Sequence, residues 1–416
     1  MPALFLLLSH APQMNADDQP RRSRSRSSRS GSRSPHSPRR SRSRSARRKR
    51  TRSYLAALLA VAIVAVVAGL LYAGMSAPDR PALASAASLD PARKPAERTA
   101  ALAPVNLPAD DAPHGSGMEW WYYNGILDAT TGQRYAFHVA VFVANGLVKQ
   151  TVMHVALTDL QTGQRYADQG RTGGLPAQHV ANGFDFRQDD WQVAGSGPSQ
   201  KLRAAFEGVS IALDLTDSHA PVLHRAAGSA TPGLLDFGQS GISYYYSRPR
   251  MAAKGEITVG GKPAQVSGDV WFDHQWGDFD VLSLGWNWFA LHLADGSDVM
   301  LYQLFDAQGH KVMTAGTVSN AKGSVPLKPE DVELTPVTTW TSPHTRIPYV
   351  VEWRVRLPSG VLNIKPFVAD SEFDAGRTTA NVYWEGPVKV TGSIDGQGFL
   401  ELSGYDRLNA AQSNHR

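Results

Sequence analysis

The 416-residue chain contains no cysteine. That excludes disulfides, a lipidated N-terminal cysteine and any zinc site built on thiolates. It does not exclude a place outside the cytoplasm, because a domain with a large enough core needs no covalent staple. Several enzyme signatures are absent too. There is no GxGxxG opening a helix, no Walker-type loop, no HExxH and no GxSxG nucleophile elbow. Acidic residues are missing from one stretch. Residues 21–53 hold 14 Arg and 1 Lys with no Asp or Glu, within an Arg/Ser-rich run that has no apolar face. Such a run is expected to be disordered. Removing those 15 cations from the total of 42 leaves 27 basic against 37 acidic residues, a net of −10. The formal charge of +5 therefore belongs to a short tail. The acidic remainder argues against a nucleic-acid surface on the folded part.

Charge is also missing from residues 54–75, YLAALLAVAIVAVVAGLLYAGM. As a helix these 22 residues reach about 33 Å, the depth of a bilayer core. The cations precede the run, so the positive-inside rule puts residues 1–53 in the cytoplasm and the rest outside, on the periplasmic side of an inner membrane. A cleaved signal peptide is the other reading, with Ala82-Leu83-Ala84 as its cleavage site, which would leave the protein secreted. The Ala- and Pro-rich residues 76–110 read as a tether.

From about residue 111 short runs rich in Val, Tyr, Phe and Trp alternate with Gly, Asn and Asp turns. Examples are 134–143, 202–215, 299–305 and 350–357. This spacing predicts an all-β sandwich or barrel. A faint repeat is present: WWYYNGILDATTGQRYAFHVAVF at 120–142 and WNWFALHLADGSDVMLYQLF at 286–305 both read as an aromatic hairpin. Two β-domains follow, at 111–280 and 281–410.

The aromatic clusters sit beside ionisable groups: Glu119-Trp120-Trp121, Tyr244-Tyr245-Tyr246, Trp271-Phe272-Asp273-His274-Gln275-Trp276, Trp286-Asn287-Trp288 and Tyr383-Trp384-Glu385. In a strand one ring of each pair is ordinary core. Repeated placement of large rings beside carboxylate and imidazole is what a hydrophobic-ligand site requires. On a strand Asp273 and Gln275 face one way, His274 and Trp276 the other. The remaining histidines, among them His114, His138, His154 and His224, lack metal-ligand spacing and read as structural or exposed. No metal or cofactor is expected.

The segments HGSGMEWWYYNG (114–125), GISYYYSRPRM (241–251), VWFDHQWGDF (270–279), GWNWFALHLADGSDVMLYQL (285–304), YWEGPVKVTG and GFLELSGY together resemble the carotenoid 1,2-hydratase-like, or AttH-like, proteins, a two-domain lipocalin-like family. The resemblance covers about 111–405. It implies two calycin-like β-domains with a pocket involving their interface. It also implies a cofactor-free hydratase acting on an apolar, isoprenoid-like substrate, in which a carboxylic acid protonates an alkene and water adds to the cation, with aromatic faces stabilising it. His274 and Trp276 match the family's His-x-Trp element. Tyr302 lies on the strand that carries the hydratases' Tyr and Asp, here with Gln303 rather than an acid beside it. The roles implied are Asp273 as acid or as orienter of His274, His274 as proton shuttle, Trp276 and Trp288 as walls, and Tyr302 as donor. Glu119, Trp120, Trp121, Tyr245, Trp286 and Trp384 would line the ligand site. The alternative is a carrier of a lipid or other hydrophobic molecule that serves an envelope transporter. The charge asymmetry predicts that protease added to intact spheroplasts digests the C-terminal domain, and protection of that domain would reverse the orientation.

Overall fold

A computed structural model of the chain describes residues 102–146 and 148–408. The Arg/Ser-rich stretch and the expected membrane span at 54–75 lie outside the described residues, and among those described no helix is long and apolar enough to cross a membrane. The fold is all-β. Its first sheet runs through β1 (Met118–Ala129), β2 (Arg134–Asn145), β3 (Lys149–Asp159), β4 (Arg165–Gly173), β5 (Gly183–Gln188), β6 (Trp191–Ser196), β7 (Ser199–Phe206), β8 (Val209–Asp217), the short β9 (Val222–Leu223) and β10 (Leu234–Asp236), β11 (Gly241–Val259) and β12 (Lys262–Phe279). The second runs through β13 (Leu284–Leu293), β14 (Asp298–Asp306), β15 (Lys311–Asn320), β16 (Gly323–Leu327), β17 (Glu333–Thr341), β18 (Pro348–Leu357), β19 (Gly360–Pro366), β20 (Glu372–Asp374), β21 (Val382–Gly392) and β22 (Gly396–Ser403).

Both sheets are antiparallel and follow one plan. In the first the order is β4-β3-β2-β1-β12-β11-β8-β7-β6-β5, so the first strand pairs with the last long one. In the second it is β16-β15-β14-β13-β22-β21-β19-β18-β17, and again the first strand pairs with the last. Each sheet opens on one of the two aromatic hairpins found in the sequence. Their turns hold Gly132 at φ 90° and Gly296 at φ 82°, a left-handed backbone that only glycine adopts without strain.

The two-residue period of the strands sorts the side chains into three apolar layers. One face of the first sheet curls around a core that includes Trp121, Tyr123, Phe184, Phe186, Phe272 and Trp276. One face of the second encloses Phe289, Leu301, Tyr349, Trp353 and Trp384. The opposite faces of the two sheets meet in a third layer, in which Tyr122, Tyr245 and Trp271 of the first sheet pack with Trp288, Tyr302 and Phe399 of the second.

A segment before β1 is locked into the first barrel by charge. Asp111, wholly buried, accepts two hydrogen bonds from Arg248 Nη2 (3.0 and 3.1 Å), one from the Gly197 amide (2.8 Å) and one from the Tyr246 hydroxyl. Arg248 also meets Asp217. Removing one member of a buried ion pair leaves the other charge uncompensated. Asp111→Ala should therefore cost about 3 kcal/mol, read as a lower urea midpoint, whereas substitution at exposed Asp214 should leave the midpoint nearly unchanged.

Candidate active site

Strand β12 separates the site residues foreseen on it. Asp273 and Gln275 point into the layer between the sheets, while His274 and Trp276 point into the first barrel. The Asp273 carboxylate is 3 % exposed and is met by three donors: Tyr245 OH at 2.6 Å, the Trp271 indole N–H at 2.6 Å, and the Ser247 hydroxyl. The Trp288 indole of the second sheet donates to Tyr245 OH at 3.1 Å, tying the two sheets together at this carboxyl. Burial raises the Asp273 pKa, the three hydrogen bonds lower it, and burial prevails: the group is pushed up to about 7.

Two more carboxyls enter the same layer from β21 and β22, where Glu385 and Glu401 are paired in register. Burial pushes Glu401 up to about 7; the Trp286 indole opposes this and the charge of Asp273 adds to it. Glu385 is also raised, by burial and then by Glu401. It accepts from the Tyr122 hydroxyl and lies 3.1 Å from His138 Nδ1. Burial likewise raises the pKa of Tyr302, which interacts with Gln275. Three carboxyls that favour protonation thus share a layer with Tyr122, Tyr245, Trp271, Trp288 and Tyr302. Trp120, Phe142, Phe279 and Trp286 pack on the rim of this layer, only partly buried.

The other face of β12 carries a different network. His274, wholly buried, has Nε2 2.8 Å from Glu119 Oε1 and Nδ1 3.3 Å from Tyr246 OH. His114 Nδ1 is 2.7 Å from the same Glu119 oxygen, and its Nε2 lies 3.6 Å from Asp110. Its ring stacks on Trp276 at 4.1 Å and 4°, and Tyr244 also stacks on that indole, at 5.2 Å and 4°. Burial lowers the His114 pKa, but Asp110 and Glu119 raise it more, to about 9. Glu119 is held low by the two histidines against the opposing effect of burial. Burial takes His274 below its usual range, only partly countered by Glu119. His114, Glu119 and His274 converge closely enough for a metal to be considered. However, 2.7 and 2.8 Å are hydrogen-bond separations, below the edge of about 3.3 Å that ligand distances near 2.0 Å give a tetrahedral site. The trio fits a pinned ion network better than a metal cradle.

The sites expected from sequence are therefore divided. Asp273, Tyr245, Trp288 and Tyr302 come together between the sheets, with Trp120 and Trp286 at the rim. Glu119, Trp121, His274 and Trp276 form part of the first barrel's interior instead. Asp273 does not orient His274, because adjacent strand residues face opposite ways; Glu119 does so. Trp276 and Trp288 do not wall one cavity, since they belong to different layers. Trp384 is core of the second barrel, its indole bonded to the Ala369 carbonyl at 2.7 Å. Gln303 points away from Tyr302 and accepts from Asn287 at 3.0 Å, so the acids of the layer come from β12, β21 and β22 rather than from β14. Sequence reading missed Ser247, His224, Glu385 and Glu401. Ser247, Glu385 and Glu401 stood inside quoted motifs, and only strand pairing brings the two glutamates into the layer of Asp273.

His114 gives a pH test. A histidine held to about 9 against about 6.5 when unfolded stabilises the fold fully below pH 6.5, and that contribution is lost as pH rises through 9. The urea midpoint should fall between pH 6.5 and 9 in the wild type and fall less in His114→Gln.

A family model described as AttH-like matches residues 98–405. Kievitone hydratase of Fusarium solani subsp. phaseoli is 26% identical over 198 residues, 46% of this chain and 55% of that protein, so the match spans about half of this curated relative. A crystal structure of an AttH protein from Nitrosomonas europaea superposes with a TM-score of 0.62 at 28% identity, covering 73% of this chain and 100% of that one. The crystal structure of kievitone hydratase from Nectria haematococca gives 0.60 at 18% identity, covering 73% and 94%, and shares the fold. The all-β architecture, the matched segments and the extent of the family match make this chain a member of the AttH-like family.

Proposed function

We propose that the protein is a cofactor-free hydratase of an apolar, isoprenoid-like alkene, and that the reaction takes place in the layer between the two sheets. The observation that carries this is Asp273: a carboxyl sealed among aromatic side chains and held near a pKa of 7. It is protonated in a large fraction of molecules at neutral pH, as a general acid must be. The similarity to kievitone hydratase supports the reaction class.

In this reading the Asp273 O–H bond breaks as its proton forms a C–H bond with one alkene carbon. The faces of Trp288, Trp271 and Tyr122 stabilise the positive charge left on the other carbon. Water adds there and returns a proton to the Asp273 carboxylate, so alkene plus water gives alcohol with no external oxidant or reductant. Glu401, also near 7, keeps local negative charge low at this step, because two carboxylates so close resist joint ionisation. An apolar chain would enter past Trp120, Phe279 and Trp286. An anchor at 54–75, with the folded part periplasmic, would keep the protein at the membrane in which such substrates concentrate.

The test is incubation of the full chain with acyclic polyenes in ¹⁸O-labelled water, scored by mass spectrometry for one added oxygen. Turnover should fall as pH rises through about 7, since the acid form is consumed there. Asp273→Asn should lose at least ~100-fold while keeping its melting temperature. Undiminished turnover in Asp273→Asn would remove Asp273 from the role. Polyene that is bound and co-purified but never converted would leave the carrier function in place of catalysis.

A further inference from the structure

Asp273 is enclosed, yet a chain of side chains leads from it to solvent. Ser247 Oγ donates to Asp273 Oδ1. Behind it, His224 Nε2 lies 2.6 Å from Ser247 Oγ, and His224 Nδ1 lies 3.0 Å from Thr317 Oγ1. Thr317 lines a cleft of about 240 Å³ bounded by Pro221, Leu223, Arg225, Pro232 and Pro326. The three linking residues come from three different elements: Ser247 from β11, His224 from just after β9, and Thr317 from β15 of the other sheet. His224 is fixed further by its amide on the Tyr245 carbonyl at 3.1 Å and by its ring against the Tyr245 ring at 4.4 Å.

With Asp273 ionised, proton counting fixes the direction of every bond. Ser247 has one hydroxyl hydrogen and spends it on the carboxylate. Its oxygen must then accept from His224 Nε2–H. Burial pushes His224 down to about 3, so the ring is neutral and carries one proton. Nδ1 therefore accepts from Thr317 O–H, and the Thr317 oxygen is left to receive a proton from cleft water. All three bonds point toward Asp273.

We propose that Thr317, His224 and Ser247 form a proton relay between the cleft and Asp273. To load the acid, Ser247 passes its proton to the Asp273 carboxylate, His224 Nε2 passes one to Ser247, Thr317 passes one to His224 Nδ1, and a solvent proton carried as hydronium in the cleft reprotonates Thr317. His224 changes tautomer, Asp273 loses its negative charge as the hydronium loses its positive one, and no relay group gains a charge. The same steps reversed let the Asp273 proton leave to the cleft, which restores the tautomer and both hydroxyl orientations, so the relay keeps Asp273 in proton equilibrium with solvent. Ser247, His224 and Thr317 are thus positioning and proton-carrying residues for the reaction proposed above, and the relay rests on that reading for its purpose but not for its detection.

The experiment follows the Asp273 proton itself. In the full chain, the protonated-carboxyl infrared band that disappears in Asp273→Asn is tracked after mixing into D₂O. His224→Gln can still donate to Ser247 and accept from Thr317, but an amide does not shuttle protons as an imidazole does. Thr317→Val keeps shape and removes the entry hydroxyl. Both variants should slow exchange at least tenfold relative to wild type with melting temperatures little changed. Wild-type exchange rates in both variants overturn the relay, even if Asp273→Asn abolishes hydration. Slowed exchange in both, with hydration intact in Asp273→Asn, upholds the relay and removes the proposed reaction instead. Should His224→Gln fail to fold, Thr317→Val decides alone.

Discussion

The alternation of side chains along β12 is the constraint on which the site depends. The strand is sealed on both sides: one face lies in the interior of the first barrel, the other against the second sheet. Neighbouring ionisable residues are thereby sent into separate environments that do not touch. His274 enters a network with an ionised carboxylate and a cationic histidine. Asp273 enters a layer whose carboxyls all drift toward the neutral form. A one-residue slip in register would exchange these environments and leave a charge without a partner on each side.

The two networks satisfy the same rule by opposite means. A buried charge must be paired or given up. On the barrel side it is paired: Glu119 bridges two histidines, and Asp111 and Asp217 flank Arg248. Between the sheets Asp273 is met by hydroxyl and indole donors, which stabilise a carboxylate less than a cation does, so burial prevails. The first arrangement favours rigidity and the second favours proton exchange. This difference, rather than the aromatic content common to both, is the physical basis for the proposal that acid chemistry belongs to the Asp273 layer.

The general architecture was legible from sequence because hydrophobic alternation and turn glycines are local signals, and the two aromatic hairpins announced the doubled plan. The opposition of Asp273 and His274 also followed from strand period alone. What sequence could not supply was long-range pairing. Glu385 and Glu401 face Asp273 only because β21 and β22 are brought beside β13 and the two sheets then stack. His224 looked like one of several scattered histidines, since its partners Ser247 and Thr317 lie 23 and 93 residues away. Trp384, quoted beside Glu385, turned into the second core because adjacent strand residues cannot share a face.

The pairing of first strand with last has a consequence for how the chain reaches this state. The amide of Gly117 meets the Asp278 carboxylate across 161 residues of sequence, and β1 cannot gain its β12 neighbour until nearly all of the first sheet exists. Contact order this high imposes a large loop-closure entropy before any reward, so folding belongs on the slow side of the range for domains of this size. The aromatic face of β1 must wait uncovered during that interval, and again until the second sheet arrives to cover its other side. Apolar surface left open in this way is the part of such a chain most prone to aggregate before the two sheets meet.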